Sequence, residues 1–226
     1  MLSSADRSLV SQFHRIMDDV NRFCSHVKFS SVQALELREY FHETRALMRA
    51  RNRAQVTTNL SPQLSAKVAW QMHKHWLVNI DFLADTEKPF LTSLALLMEH
   101  AVFAPTERCP ASRLYVIFQG VARYDMRPLS KGCTFGERDV LLQNKYSKKP
   151  TAIAITYLHV HYVTREVIQE LAGSGDYPNA FRSIRRWVRV QALKDYMLHL
   201  LRSDKQEQQK KAREASAAAA SAKFSA

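Results

Sequence analysis

The chain has 226 residues, enough for one large domain or two small ones, and 46% of them are hydrophobic, which is too high a share for a disordered protein. The formal net charge of +12 predicts a surface that attracts anions, whether nucleotides, acidic protein faces, anionic lipids or nucleic acids. Three widely spaced cysteines, Cys24, Cys109 and Cys133, fit a reduced, cytosolic setting, and no secretory signal or membrane-spanning apolar run is present.

The first hundred residues are predicted to be helical. Apolar residues recur at intervals of three and four over 8–28 and again over 37–48, where Ser30 or Ser31 could cap the second helix. A third helix begins at SPQL (61–64), because Ser61 can cap it and Pro62 suits its first position, and it runs to about residue 80. A fourth helix is expected over 86–100.

The pattern changes between residues 101 and 165. Short apolar runs rich in Val, Ile, Tyr and Phe alternate with prolines and glycines, which predicts a small antiparallel sandwich or barrel. Helix returns over 164–173, with Thr164 as its cap and Gly173 as its stop, and a long helix follows. From Ser203 the tail lacks large apolar residues apart from Phe224. It could extend the last helix through its alanines, but it cannot bury itself and we expect it to be loose.

Two basic segments lie on predicted helices. RALMRARNR (45–53) fits a solvated helix face better than a docking surface for acidic groups. On the last helix four arginines recur at i, i+3, i+4 and i+7, and this stripe fits either a solvated face or a site for an acidic partner or ligand. The four are Arg182, Arg185, Arg186 and Arg189.

Several phrases fall in a fixed order along the strand-rich part. VFAPTE (102–107) precedes LYVIFQGVARY (114–124), and FGERDVLL (135–142) is followed by PTAIAI (150–155). Together they resemble a cyclic nucleotide-binding domain. The resemblance implies an α+β fold in which an N-terminal helical linker is followed by a β-roll, an eight-stranded jelly roll, with C-terminal helices.

The helices upstream extend the resemblance. LREYFHETR (37–45) and NLSPQLSAKVAW (59–70) are similar to the linker between pore and nucleotide domain in hyperpolarisation-activated and cyclic-nucleotide-gated channels. The resemblance implies a helical linker over 1–80, a nucleotide-binding-like domain over 81–202 and a basic, alanine-rich tail over 203–226. It also implies a regulatory module of a potassium-type cation channel, at the cytosolic face of a membrane. The module would form a homotetramer through the linker, and the pore would be missing from this chain.

The resemblance also implies ligand-binding residues for cAMP or cGMP. Gly136 and the amides that follow it, including that of Arg138, would hold the cyclic phosphate, because glycine lets the backbone approach an anion closely. Glu137 would accept a hydrogen bond from the ribose 2′-hydroxyl. Thr151 would offer its hydroxyl to the phosphate. Lys149 and Ala152 complete the set.

One departure from the family pattern weakens this pocket. Pro150 stands where the family has the arginine that grips the phosphate, and the adjacent Lys148 and Lys149 lack the planar fork of a guanidinium. Losing one charge-assisted hydrogen bond, worth ~1.5–3 kcal/mol, weakens binding by roughly 10- to 150-fold. We therefore expect a retained fold with weak or no cyclic-nucleotide binding.

Other functions find less support in the sequence. The strand pair His159 and His161 lies on one face, but without a third nearby ligand structural histidines are favoured and no metal is expected. Catalytic motifs are absent, and nothing after the last helix resembles a DNA-reading element, so neither catalysis nor nucleic-acid binding is predicted. The alternative is a soluble cyclic-nucleotide sensor or interaction protein.

Overall fold

The computed structural model describes the backbone of residues 4–142 and 150–224, and the side chains of residues 10–45, 59–142, 150–205 and 207–209. The chain begins with four helices, α1 (Ser4–Val27), α2 (Ser31–Thr58), α3 (Pro62–Leu77) and α4 (Lys88–Leu96). The strands are β1 (Glu99–Phe103), β2 (Arg113–Gln119), β3 (Ala122–Tyr124), β4 (Arg127–Leu129), β5 (Thr134–Phe135), β6 (Ile153–Ala154) and β7 (Leu158–Thr164). A short helix, α5 (Glu137–Leu141), precedes β6, and α6 (Arg165–Gly173) and α7 (Pro178–Phe224) follow β7. The protein therefore has an α+β fold.

Local sequence signals explain where the first helices begin. The Ser30 hydroxyl accepts a hydrogen bond from the Gln33 amide at 3.3 Å, and the Gln33 side chain accepts one from the Ser30 amide at 3.1 Å. This reciprocal capping box selects Ser30 as the cap of α2. Pro62 opens α3 as expected, although the Ser61 side chain makes no capping bond. The predicted helix over 86–100 ends earlier than expected, because Glu99 and His100 already belong to β1.

The strands form two antiparallel sheets. The larger has the order β1-β7-β2-β5 and the smaller has the order β4-β3-β6. The residues that the structure describes therefore contain seven strands, rather than the expected eight, and the two sheets share no strand. β7 lies between β1 and β2, with Val160 opposite both Ala101 and Ile117.

The strand β7 shows how the core is divided. Leu158 and Val160 belong to the cluster between the sheets, whereas Val163 belongs to the cluster beneath α3, α4, α6 and α7. His159 and His161 share the face of Val163, because side chains alternate along a strand. The predicted common face of the two histidines is therefore confirmed, and that face points to the helices.

The C-terminal helices begin and end differently from one another. The Thr164 hydroxyl accepts a hydrogen bond from the Val167 amide and caps α6, which ends at Gly173 as predicted. Of the two possibilities for the tail from Ser203, the structure has the helical extension, since α7 continues to Phe224. Ala, Lys, Glu and Gln dominate this stretch and have high helix propensity, so a helix can form there without burial.

Candidate functional site

The turn between β5 and α5 is where the predicted phosphate cradle lies. Gly136 has φ of +88°, a left-handed conformation that glycine adopts without strain. A Cβ added to Gly136 would lie 2.1 Å from the Arg113 carbonyl oxygen, so the backbone of β2 passes directly against this residue. The glycine is thus required by the packing of the turn itself.

Glu137, predicted to contact a ribose, is engaged within the same turn. Its Oε1 accepts a hydrogen bond from the Thr134 hydroxyl at 2.5 Å. The carboxylate therefore closes the loop that leads into α5. The ribose contact stays a prediction, and a ligand would compete with Thr134 for that oxygen.

Arg138 connects the cradle to the last helix. Its guanidinium forms an ion pair with Asp195 of α7, whose side chain is only 6% exposed. Arg165, at the start of α6, donates to the backbone carbonyls of Asp139 and Val140 at the end of α5. Two arginines therefore hold α5 to both C-terminal helices.

The remaining predicted ligands lie along the segment that enters β6. Thr151 is exposed, and its neighbour Ala152 is buried. The Ala152 carbonyl accepts a hydrogen bond from the Cys109 amide at 2.9 Å, which ties this segment to the loop before β2. Lys148 and Lys149 lie outside the described residues.

Gly136, Thr151 and Ala152 meet at one small cavity, together with Pro150. Its volume is about 110 Å³, whereas small-molecule sites commonly measure ~300–1,000 Å³. Aromatic rings occupy the space beside it: Tyr115 stacks on Phe135 at 4.8 Å between ring centroids, and Tyr124 lies 5.5 Å from Phe135. In this conformation the cavity cannot enclose a whole nucleotide.

Arg113, which the sequence analysis missed, also lines this cavity. Its guanidinium carbon lies 4.6 Å from the centre of the Tyr162 ring, a cation–π contact that holds it near the cavity. The expectation that the pocket lacks an arginine, because Pro150 stands in its place, is therefore incomplete: β2 supplies an arginine to the cavity from another position. No sequence signal distinguishes Arg113, since an arginine at the start of a strand has no motif of its own.

The thiol and the two phenol groups in the cavity wall are neutral at physiological pH. Burial, and then the Glu107 carboxylate, raise the pKa of the Cys109 thiol to about 12. Burial raises the pKa of Tyr124 to about 12, with smaller contributions from Asp139 and Glu137. Burial likewise raises the pKa of Tyr115, whose hydroxyl donates to the Pro110 carbonyl at 2.8 Å. The wall can donate hydrogen bonds to an anion, but its thiol is not a thiolate nucleophile.

A second group of contacts joins the N-terminal helices to the sheet. Glu43 of α2 bonds to His159 Nε2 at 3.0 Å. His161 packs against His73 of α3, with ring centroids 5.0 Å apart, and stacks on Trp76. Strand alternation predicts that these histidines share one face, but no sequence pattern pairs either of them with a helix.

Comparisons with protein-family models and with curated proteins give no match for this chain. Among the described residues, no group of three or more His, Cys, Asp or Glu side chains is arranged to hold a metal ion. None of the helices, in the portion of the chain that the structure describes, combines the length and apolarity needed to cross a bilayer.

Proposed function

We propose that this chain is the cyclic nucleotide-binding-like regulatory module of a voltage- or nucleotide-gated cation channel of the potassium type, and that it binds cyclic nucleotides weakly or not at all. In this proposal residues 81–202 form a β-roll of the jelly-roll type, preceded by a helical linker over 1–80 and followed by a tail over 203–226. The module would act at the cytosolic face of a membrane as a homotetramer, assembled through the linker.

The observation that carries the proposal is the ion pair between Arg138 and Asp195. It connects the predicted cradle to α7, so a change at the Gly136 turn would reach the last helix through a partly buried contact. A second contact, between Glu43 and His159, connects α2 to the sheet. A regulatory module needs a two-state element that its ligand biases, and these contacts supply a route between turn, helix and linker.

The cavity supports weak binding. The cavity measures about 110 Å³ and aromatic rings border it on one side, so a nucleotide must displace Tyr115 or Tyr124 before it can enter. Arg113 offers a guanidinium, but that group already stacks on Tyr162. The free energy of nucleotide binding therefore has to offset the loss of the contacts that these side chains make with one another in the empty pocket.

Isothermal titration calorimetry with cAMP and cGMP tests the weakened pocket. We expect Kd values above about 10 μM, which corresponds to roughly −7 kcal/mol. Arg113→Ala should abolish any residual heat, whereas Arg123→Ala should not, because Arg123 lies on β3 and does not line the cavity. Binding tighter than about 10 μM, or residual binding that both variants retain equally, would contradict the proposed pocket.

Light scattering coupled to size-exclusion chromatography tests the assembly. A homotetramer is expected for the full chain. A monomer at all concentrations would remove the channel-type linker from the proposal and favour the soluble sensor or interaction protein.

A further inference from the structure

The outward face of α7 carries a line of exposed apolar side chains. Val190, Leu193, Met197 and Leu200 are spaced by three, four and three residues, and their exposed fractions are 44%, 61%, 55% and 42%. This is the a–d spacing of two heptads. The body of the protein packs on the opposite side of α7, where Ala180, Ile184 and Asp195 are buried. The line is therefore a seam with no partner among the described residues.

The same face is cationic at its N-terminal end. Arg182, Arg185, Arg186 and Arg189 line an open groove of about 410 Å³ that ends at Val190. Between Pro178 and Arg202 the sequence contains a single acidic residue, Asp195, and that carboxylate is paired with Arg138. The outward face consequently has no negative charge of its own to offset these arginines.

We propose that this face of α7 docks an acidic amphipathic helix from a partner protein. The apolar residues of the partner would pack on the Val190–Leu200 seam. Its carboxylates would face Arg189 and Lys194, which occupy the flanking g and e positions of the heptads and set partner choice in such pairs. Further carboxylates would face the arginine groove. The proposal is independent of nucleotide binding in the cavity.

A second copy of α7 fits this face poorly. In a parallel pair the g position of one helix meets the following e position of the other, which would place Arg189 opposite Lys194. In an antiparallel pair like positions meet, so the register that places Val190 opposite Leu200 brings Lys194 to Lys194 and Arg189 to Ser203. Neither of these homotypic arrangements gives Arg189 and Lys194 an acidic partner, and a helix with acidic flanks does.

A membrane surface also fits poorly, although the helix is basic and partly apolar. Leu198 and Leu200 are both exposed, at 45% and 42%, and two residues of helix rotation place them on nearly opposite sides of α7. A flat bilayer can cover only one side of a helix that lies in its interface.

Fluorescence anisotropy with synthetic helical peptides tests the proposal on the full chain. The probe is a peptide of about four heptads with leucine at a and d and glutamate at e and g, and the matched control carries lysine at e and g. The glutamate peptide should bind, with an affinity that falls as salt is raised, and the lysine peptide should not. Absence of binding by the glutamate peptide at low salt would overturn the proposal.

Three variants assign the binding to this face. Arg189→Glu combined with Lys194→Glu should weaken binding of the glutamate peptide by at least roughly tenfold and create binding of the lysine peptide. Leu193→Ser should also weaken it. Val32→Ser, at an exposed apolar position of α2, is the control and should change nothing. Equal binding by all variants would place the interaction elsewhere.

Two further measurements test the two other possible occupants of this face, a membrane surface and a second copy of this chain. In a co-sedimentation assay the protein should not pellet with vesicles of phosphatidylserine and phosphatidylcholine. If the wild type pellets with them and the double charge-reversal variant does not, the face binds a membrane instead. Light scattering should give the same mass for the wild type and Leu193→Ser. A smaller mass for that variant would assign the seam to a second copy of this chain.

Discussion

The two faces of the β1-β7-β2-β5 sheet have different chemistry. Toward the second sheet, Tyr115, Ile117 and Val160 form a cluster of apolar and aromatic side chains around the small cavity. Toward the helices, the same strands present His159 to Glu43 and His161 to the ring of His73. The first face is thus an apolar and aromatic core apart from Arg113, and the second joins the sheet to helices through ionisable groups.

This difference separates two roles, ligand binding and transmission of a conformational change, that the sequence motifs placed together at the cradle. A binding pocket and a contact that transmits a conformational change both require polar groups, and the sequence motifs place such groups at the cradle. The cavity itself is largely filled by rings, whereas the long-range polar contacts link α5, α2 and α3 to other elements. The proposed regulation therefore depends on the helix side at least as much as on the cavity. Four predictions test this contrast.

The largest effect is expected at the cradle turn. Gly136→Ala should lower the free energy of unfolding by roughly 3 kcal/mol or more, because it combines a left-handed backbone with a clash against the Arg113 carbonyl. Urea denaturation measures it. Gly132→Ala is a matched control with φ of +86° and open space around its Cβ, and should cost only about 1 kcal/mol. Equal costs for the two variants would mean that the cradle is not tightly packed on β2.

The ion pair between α5 and α7 comes next. Arg138→Ala should lower the free energy of unfolding by about 2–3 kcal/mol, because it leaves the buried Asp195 carboxylate without its partner. The effect is moderated because the Arg138 side chain is 38% exposed. Asp195→Asn should cost less, because the remaining guanidinium reaches solvent. A double-mutant cycle of the two in urea should give a coupling of about 1 kcal/mol or more, and additive costs would break the proposed connection to α7.

Acid pH should destabilise the histidine contacts on the helix side. Burial, and then the neighbouring His100, lower the pKa of His73 to about 4. Burial, and then His100 and His73, lower the pKa of His161 to about 2. Below pH 6.5 the unfolded chain takes up protons that the folded protein does not, so stability present at neutral pH is lost as the pH falls. At pH 5 each histidine should account for a loss of about 2 kcal/mol.

Urea denaturation between pH 7 and 5 checks this dependence. His73→Gln should remove about 2 kcal/mol of the loss, because glutamine does not titrate. Met72→Gln, at an exposed position of the same helix, is the matched control; it removes no titratable group and should leave the profile unchanged. A wild-type stability that is constant from pH 7 to 5 would show that the two imidazoles are not shielded as the structure indicates.

The smallest effect is expected where α2 meets the sheet. Glu43→Gln should reduce stability by less than about 1 kcal/mol, because the glutamate is 38% exposed and water screens the pair. Hydrogen exchange of the α2 amides should nevertheless become faster. Glu39→Gln, one turn away and exposed, should have no effect on exchange. If both variants behave alike, α2 is not held to β7 by this contact.

Much of the fold follows from local sequence signals. The capping box at Ser30 and Gln33, Pro62 at the start of α3 and the Thr164 cap all act over three or four residues, so their effects can be predicted without knowing the rest of the structure. The alternation that places His159 and His161 on one face is likewise a property of any strand.

The tertiary structure alone decided which partners these residues meet. The pairs Arg138–Asp195 and Glu43–His159 join residues 57 and 116 positions apart, and Arg113 reaches the cavity from a strand that carries no motif for it. Such pairings depend on how elements pack, which is set by the whole core rather than by a local pattern. For the same reason, periodicity located the arginine stripe on α7, but only packing determined that this side faces away from the body.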